Sequence, residues 1–286
     1  MLGAIERPRI SSFAWHAIYY GFLLNTGILL CAFFINVYSG EYGQKAKYVY
    51  LLILLLVNLV LVNSRTPLLA LAFGFLVLFL WEFNLVNKLR VGVLVIVLFS
   101  SLVFIPKGRQ IVSAAFSALS SNEQSYEEGS SLDMRIGQLQ ASYDLFKKKP
   151  VTGNGLYYIK ETLGFSRDWS QSKSDKYLYG FESYIYELLI EQGVLGIIGN
   201  IFLFASLFIF FIKNNISKNR GTKKLSLLGI ALLVAYLSFI IGTGDMGSFP
   251  VFMIVMGITI KGIVLLNPFE TILSRLNYSA DLLIEV

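Results

Sequence analysis

Seven long apolar runs constrain this chain more than anything else in it. They lie at roughly 13–38, 48–63, 66–82, 89–105, 193–212, 225–242 and 249–266, each near the length needed to cross a bilayer. Lipid offers no partners to backbone N–H and C=O groups, so each run must close its hydrogen bonds internally as a helix. The predicted fold class is therefore all-α: a polytopic transmembrane helical bundle of about seven spans forming a single integral membrane domain over 1–286. Composition agrees, because only 15% of residues are charged, against about 25% in soluble domains. The net charge of +6 does not point to nucleic acid, since the basic residues fill short gaps between apolar runs. Cys31, the only cysteine, excludes an intramolecular disulfide and a thiolate metal cluster. The first run is too long for a cleavable signal peptide and lacks a small-residue cleavage site. The expected location is the plasma or inner membrane, crossed many times.

The gaps set the orientation. Lys213, Lys218, Arg220, Lys223 and Lys224 lie between the fifth and sixth runs with no acidic residue among them, which places that gap in the cytoplasm. Alternation then puts Lys45, Lys47, Lys88 and Arg90 inside. It puts the tight gap at Arg65, the gap 243–248, the N-terminus and the whole stretch 106–192 outside. The tail 267–286, with Pro268, reads as a short amphipathic end.

The extracytoplasmic loop 106–192 is too long and too patterned for a connector. From Leu132 to Lys149, apolar residues fall at Leu132, Ile136, Leu139, Tyr143 and Phe146, one stripe of a helix. Asp133, Gln138, Ser142, Asp144 and Lys148 form the other face. Such a helix lies along the outer membrane surface or covers the tops of the spanning helices. Pro150 and the glycines of PVTGNG stop it. A second short helix, FESYIYELLIEQG, leads into the fifth span. Between them FSRDWSQSKSDKYLYG is polar and aromatic, as a sugar-binding surface needs and as membrane interfaces also are.

These pieces occur in a telling order. LVNSRTPLLAL joins two runs, MRIGQLQASYDLFKKKPVTGNG follows in the long loop, and ESYIYELLIEQGVLGIIG enters a span. The ordered set resembles the O-antigen ligase and polysaccharide polymerase superfamily of membrane glycosyltransferases. Its members carry SR at a span end, R…W..A…I…PLLG.G in the outer loop, and HN.YL….E.GILG before the next span. RISSFAWHAIYYGFLL also resembles a family segment, so the likeness covers most of residues 7–213. Two departures stand out. The chain has fewer spans than family members usually have, and its start matches an internal outer loop, as though the N-terminal half were missing. The family's HN reads Glu182-Ser183 here.

The resemblance implies glycosyl transfer on the outer face, from a polyprenyl-diphosphate-linked oligosaccharide to a hydroxyl of another lipid-linked unit. The leaving diphosphate must be neutralised, which metal ions or forked arginine hydrogen bonds can do. With His16 the only histidine and the carboxylates scattered, no metal or other cofactor is expected, and arginines are the electrophilic groups. Arg65 sits where two apolar runs nearly touch, and either serves the reaction or snorkels to the interface. Arg135 borders the apolar stripe, and contacts either the diphosphate or lipid headgroups. Glu182 takes the place of the family histidine as candidate general base, or else only begins its helix. Arg167, Lys173 and Tyr184 complete the substrate-binding set that the resemblance suggests. Lys147, Lys148 and Lys149 read as headgroup anchors, Glu187 and Glu191 as a solvated face, Asp245 as part of a turn, His16 as an interface residue and Lys261 as a snorkelling lysine.

The function expected is polymerisation of repeat units into surface polysaccharide, with membrane lipids, a flippase and a chain-length regulator as partners. A ligase that moves a finished glycan to another acceptor remains open, as do a flippase for lipid-linked oligosaccharide and an inactive fragment. Transporters concentrate ionisable groups near the midplane, whereas this chain gathers its polar residues in one loop. The topology predicts that a cysteine at Ser172 reacts with an impermeant thiol reagent in intact cells, while one at Asn219 does not. The reverse labelling would overturn the orientation.

Overall fold

The computed structural model describes residues 17–62, 64–82, 131–159, 183–243 and 248–284, without the side chains of Arg65, Glu82, 131–136 and 267–284. All secondary structure within these residues is helical: α1 (Ala17–Val37), α2 (Tyr42–Val62), α3 (Arg65–Glu82), α4 (Ser131–Phe146), α5 (Tyr184–Asn215), α6 (Arg220–Ile241) and α7 (Phe249–Ile284). Among the described residues five helices are long and apolar enough to cross a membrane, namely α1, α2, α5, α6 and the Phe249–Leu266 part of α7. The apolar stretch of α3, Thr66–Trp81, is shorter. Six of the seven apolar runs thus coincide with helices, and the run 89–105 lies outside the described residues. Helix α7 continues past Pro268 to Ile284.

The bundle is organised around α6, which packs against α1, α3, α5 and α7. Its start is well specified: the Asn219 side chain accepts from the N–H groups of Gly221 and Thr222 at 2.8 and 3.3 Å, two of the donors that a helix start leaves without intrahelical partners. Tyr236, in the last two turns of α6, is fully buried and stacks on Phe252 of α7, with ring centroids 3.9 Å apart. Phe22 of α1 closes on Tyr236 and Phe239 from the other side. Helices α5 and α6 approach closely because Gly229 leaves room for the Phe211 ring, the small-residue packing that membrane helices use in place of a hydrophobic driving force. Helix α2 packs chiefly on α1 and leaves Ile53, Val57 and Val60 more than half exposed, as a lipid-facing helix does.

The chain direction alternates, so α1 and α5 end where α2 and α6 begin. Lys45, Lys47, Lys213, Lys218, Arg220, Lys223 and Lys224 gather at that end, where the Lys224 ammonium also donates to the Asn36 carbonyl across the bundle at 3.2 Å. This basic end matches the one the sequence assigns to the cytoplasm. The starts of α1, α3, α5 and α7 lie at the far end.

Helix α5 is two helices. Gly193 interrupts it at φ 62°, ψ −155°. In a straight helix Tyr184 and Asn200 would stand about 24 Å apart, yet the Tyr184 hydroxyl reaches the Asn200 Oδ1 at 3.3 Å. The short piece 184–192 is therefore folded back sharply on the long piece 194–215. A side chain at Gly193 would be strained by its positive φ and would overlap the backbone of Gly153, Pro150 and Val151. Gly193→Ala is expected to cost at least about 1–3 kcal/mol from the backbone conformation alone. Thermal unfolding of the detergent-solubilised protein should show the drop. Gly199→Ala, in the helix with nothing near its Cβ, should leave the melting temperature unchanged or slightly raised.

Candidate functional site

The far end of the bundle is built from loop residues that are polar and nevertheless buried: Ser64, Ser183, Thr243 and Ser248. Two segments distant in sequence meet there on the end of α6. The start of α3 packs Thr66 against Gly242, where an added Cβ would meet the threonine methyl at 2.9 Å. One residue further on, the Thr243 carbonyl accepts the backbone N–H of Tyr184 at 2.9 Å. Helix α1 secures the same corner. Asn25 donates from Nδ2 to the Pro67 carbonyl at 2.7 Å, and Gly21 lies directly beneath the Pro67 ring. The α3 start that carries Arg65 and the α5 start that follows Glu182 are thus fixed to adjacent residues of one helix end.

A small module stands beside this corner. Helix α4 packs on α5, and the turn 147–159 wraps the break at Gly193. The N–H groups of Val194 and Leu195 donate to the carbonyls of Pro150 and Val151 at 2.9 and 3.1 Å. In return Asn154 and Gly155 donate their backbone N–H groups to Ile190 and Glu191 at 2.8 and 3.0 Å. The Asn154 amide also bridges two helices, donating to the Leu145 carbonyl at 3.2 Å and the Ile190 carbonyl at 3.0 Å. Gly153, at φ 70°, touches the backbone of Glu191 and Gln192, so this contact admits no side chain. Leu145, Ile159 and Ile190 form the module's own apolar core, with Tyr158 and Tyr186 against it. The segment 184–192 serves both sides: Tyr184 and Leu188 belong to the bundle core, Tyr186 and Ile190 to the module.

The structure places three features that the sequence singled out. The apolar stripe of α4, expected to lie along the membrane surface or to cover the spanning helices, points away from the protein at Leu139 and Tyr143, which are about half exposed, while Gln138 and Ser142 are fully buried beside α5. The helix is held through Leu145 and the small or amide side chains that allow close approach. Glu191 is not on a solvated face, because it is half-buried and its carboxylate accepts the Ile159 N–H at 3.2 Å. Tyr184 is buried, and its hydroxyl donates to Asn200, which in turn donates to the Gly196 carbonyl at 2.9 Å.

The other predicted site residues are only partly placed. Arg65 opens α3 and Arg135 lies in the first half of α4. Glu182, Arg167, Lys173, Asp245 and His16 lie outside the described residues. Lys147, Lys148 and Lys149 are exposed, as is Lys261. Among the described residues no group of His, Cys, Asp and Glu could hold a metal ion. Asn154, Glu191 and Asn200 were missed. The only signal for the first two was the pairing of PVTGNG with EQG, which sequence reading treats as a helix stop and a helix end.

A bundle of apolar helices with a capped module beside one end defines a multi-pass membrane protein built to present a surface at that end. A family model described as O-antigen ligase matches residues 50–201, more than half of the chain, and the chain belongs to that family. The match runs from α2 to just beyond the Gly193 break and so takes in both segments that meet on α6. No curated protein matches the chain. Membership makes this a glycosyl-transferring enzyme of surface-glycan biosynthesis, acting on lipid-linked glycans.

Asn154→Ala removes two side-chain hydrogen bonds at the module's hub, and should cost about 1–3 kcal/mol. Hydrogen exchange should show faster opening of Val194 and Leu195 in this variant, with α6 unaffected.

Proposed function

We propose that the protein polymerises polyprenyl-diphosphate-linked oligosaccharide repeat units into surface polysaccharide, at the end of the bundle opposite the basic gap 213–224 and on the outer face of the cell membrane. The observation that carries this reading is the convergence of the α3 and α5 starts on Gly242 and Thr243, in a chain of this family. A hydroxyl of one unit attacks the anomeric carbon of the next. The bond from that carbon to the diphosphate oxygen breaks, its electron pair stays with the leaving polyprenyl diphosphate, and the hydroxyl proton passes to Glu182. Arg65 and Arg135 hold the diphosphate through forked hydrogen bonds, and the positive end of the α3 dipole adds to the field at Arg65. Arg167 and Lys173 bind the remainder of the lipid-linked unit. Tyr184 is a positioning residue: buried and tied to Thr243 and Asn200, it fixes the segment that follows Glu182. The flippase and chain-length regulator of the same pathway are the expected partners. The description of the matching family favours a second reading, transfer of a finished glycan to a different acceptor by the same chemistry.

Purified protein in proteoliposomes, given lipid-linked repeat units alone, should build a ladder of products. A ligase would instead stay silent until a separate acceptor is added. Glu182→Gln should lower the rate by about 10²-fold or more, with partial recovery in Glu182→His. Arg65→Lys and Arg135→Lys keep the charge but lose the fork, and both should be impaired. Normal ladders from the lysine variants would remove the diphosphate role, and a normal rate from Glu182→Gln would leave that residue as a helix start.

A further inference from the structure

The exposed part of α4 divides into two flanks. Gln138, Ser142 and Leu145 face α5. Turning about the helix axis, Leu139 and Tyr143 come next, at 50% and 54% exposure, and then the polar flank of Gln140, Asp144 and Lys148. A helix with protein on one side, apolar residues on the second and charges on the third suits a boundary between lipid and water. Its depth is fixed independently. The Val194 and Leu195 N–H groups, at the start of the long apolar piece of α5, are bonded to the carbonyls of Pro150 and Val151, immediately after the lysine triplet 147–149. The triplet therefore sits at the level where that span begins. The Lys147 ammonium lies 4.2 Å from the centroid of the Tyr143 ring, so the cation caps the apolar flank. Asp144, at 3.7 Å from Lys147, is the one acidic partner among the described residues of this turn, which leaves the patch positive.

We infer that the Leu139–Tyr143–Lys147 ridge of α4 is a docking surface for anionic phospholipid in the leaflet where the α5 span begins. Leu139 and Tyr143 enter the acyl boundary, and Lys147, Lys148 and Lys149 contact the phosphates from above. The ridge holds the module, and with it the turn around Gly193, at a fixed depth in that leaflet.

The test uses the full chain with Cys31→Ser and a nitroxide at Leu139→Cys or Gln140→Cys. The protein is reconstituted without any glycan donor in nanodiscs of phosphatidylcholine, with or without phosphatidylglycerol. Power-saturation EPR compares collisions with oxygen, which favours the membrane, and with a water-soluble nickel chelate. With phosphatidylglycerol present, the label at 139 should show an oxygen-to-nickel ratio several-fold above that at 140. The contrast should shrink in pure phosphatidylcholine and in the K147Q/K148Q/K149Q triple variant. A label at 139 reached by nickel as readily as that at 140 would overturn the docking surface. A label at 139 shielded from both reagents would assign the ridge to a protein partner instead. A contrast indifferent to lipid charge and to the triple variant would overturn the anionic specificity.

Discussion

A helix that begins inside a chain leaves its first N–H groups without intrahelical partners, and a helix that ends leaves its last carbonyls so. At Gly193 both problems arise at one residue, because the short helix 184–192 stops there and the membrane-spanning piece of α5 starts. One loop answers both. Pro150 and Val151 supply acceptors to the new helix, while Asn154 and Gly155 supply donors to the old one. Both glycines, 153 and 193, stand at positive φ with backbone against backbone, so neither could carry a side chain without parting the two strands of this contact. The sharp bend that brings Tyr184 back onto Asn200 depends on this exchange, and so does the position of everything that precedes Tyr184 in the chain.

The bend also explains why a membrane bundle can hold an ordered module beside it. The segment 184–192 is shared, with one face in the bundle core and the other in the Leu145–Ile159–Ile190 core. At its start the Tyr184 N–H is bonded to the end of α6, where α3 also begins to pack. The family match covers the chain from α2 to the bend, and α6 lies beyond it. The far end buries Ser64, Ser183, Thr243 and Ser248, and burial of such hydroxyls is tolerable where they are bonded, as Thr243 is to the Phe239 carbonyl at 2.9 Å. The lysines and arginine of 213–224, together with Lys45 and Lys47, stand at the opposite end.

Much of the fold was legible because lipid imposes a simple rule. Apolar runs had to be helices, and six of the seven are. The short helix before the fifth span was also readable from its pattern. The orientation of α4 was not. Periodicity finds an apolar stripe, but in a chain partly solvated by lipid an apolar stripe need not face protein, and Gln138 and Ser142 turned out to be the packed side. Glu191 misled for a different reason: its partner, the Ile159 N–H, lies 32 residues away, and no local pattern announces such a contact. Of the candidate site, the sequence motifs mark the starts of α3 and α5, which pack on adjacent residues, Gly242 and Thr243, at the end of α6. The roles of Arg65, Arg135 and Glu182 rest on chemistry and resemblance, because single side chains leave no periodic trace.

The loop 150–155 is synthesised well before the residues it caps. Until residues 190–195 have been made, the carbonyls of Pro150 and Val151 and the amides of Asn154 and Gly155 lack the partners they have in the folded chain. Closure of this contact therefore waits for residues 190–195, which are made after the loop. Pairing across so long a stretch of chain is slow compared with helix formation. A newly made molecule therefore passes through a stage in which the loop 150–155 exists without the helix ends that it caps.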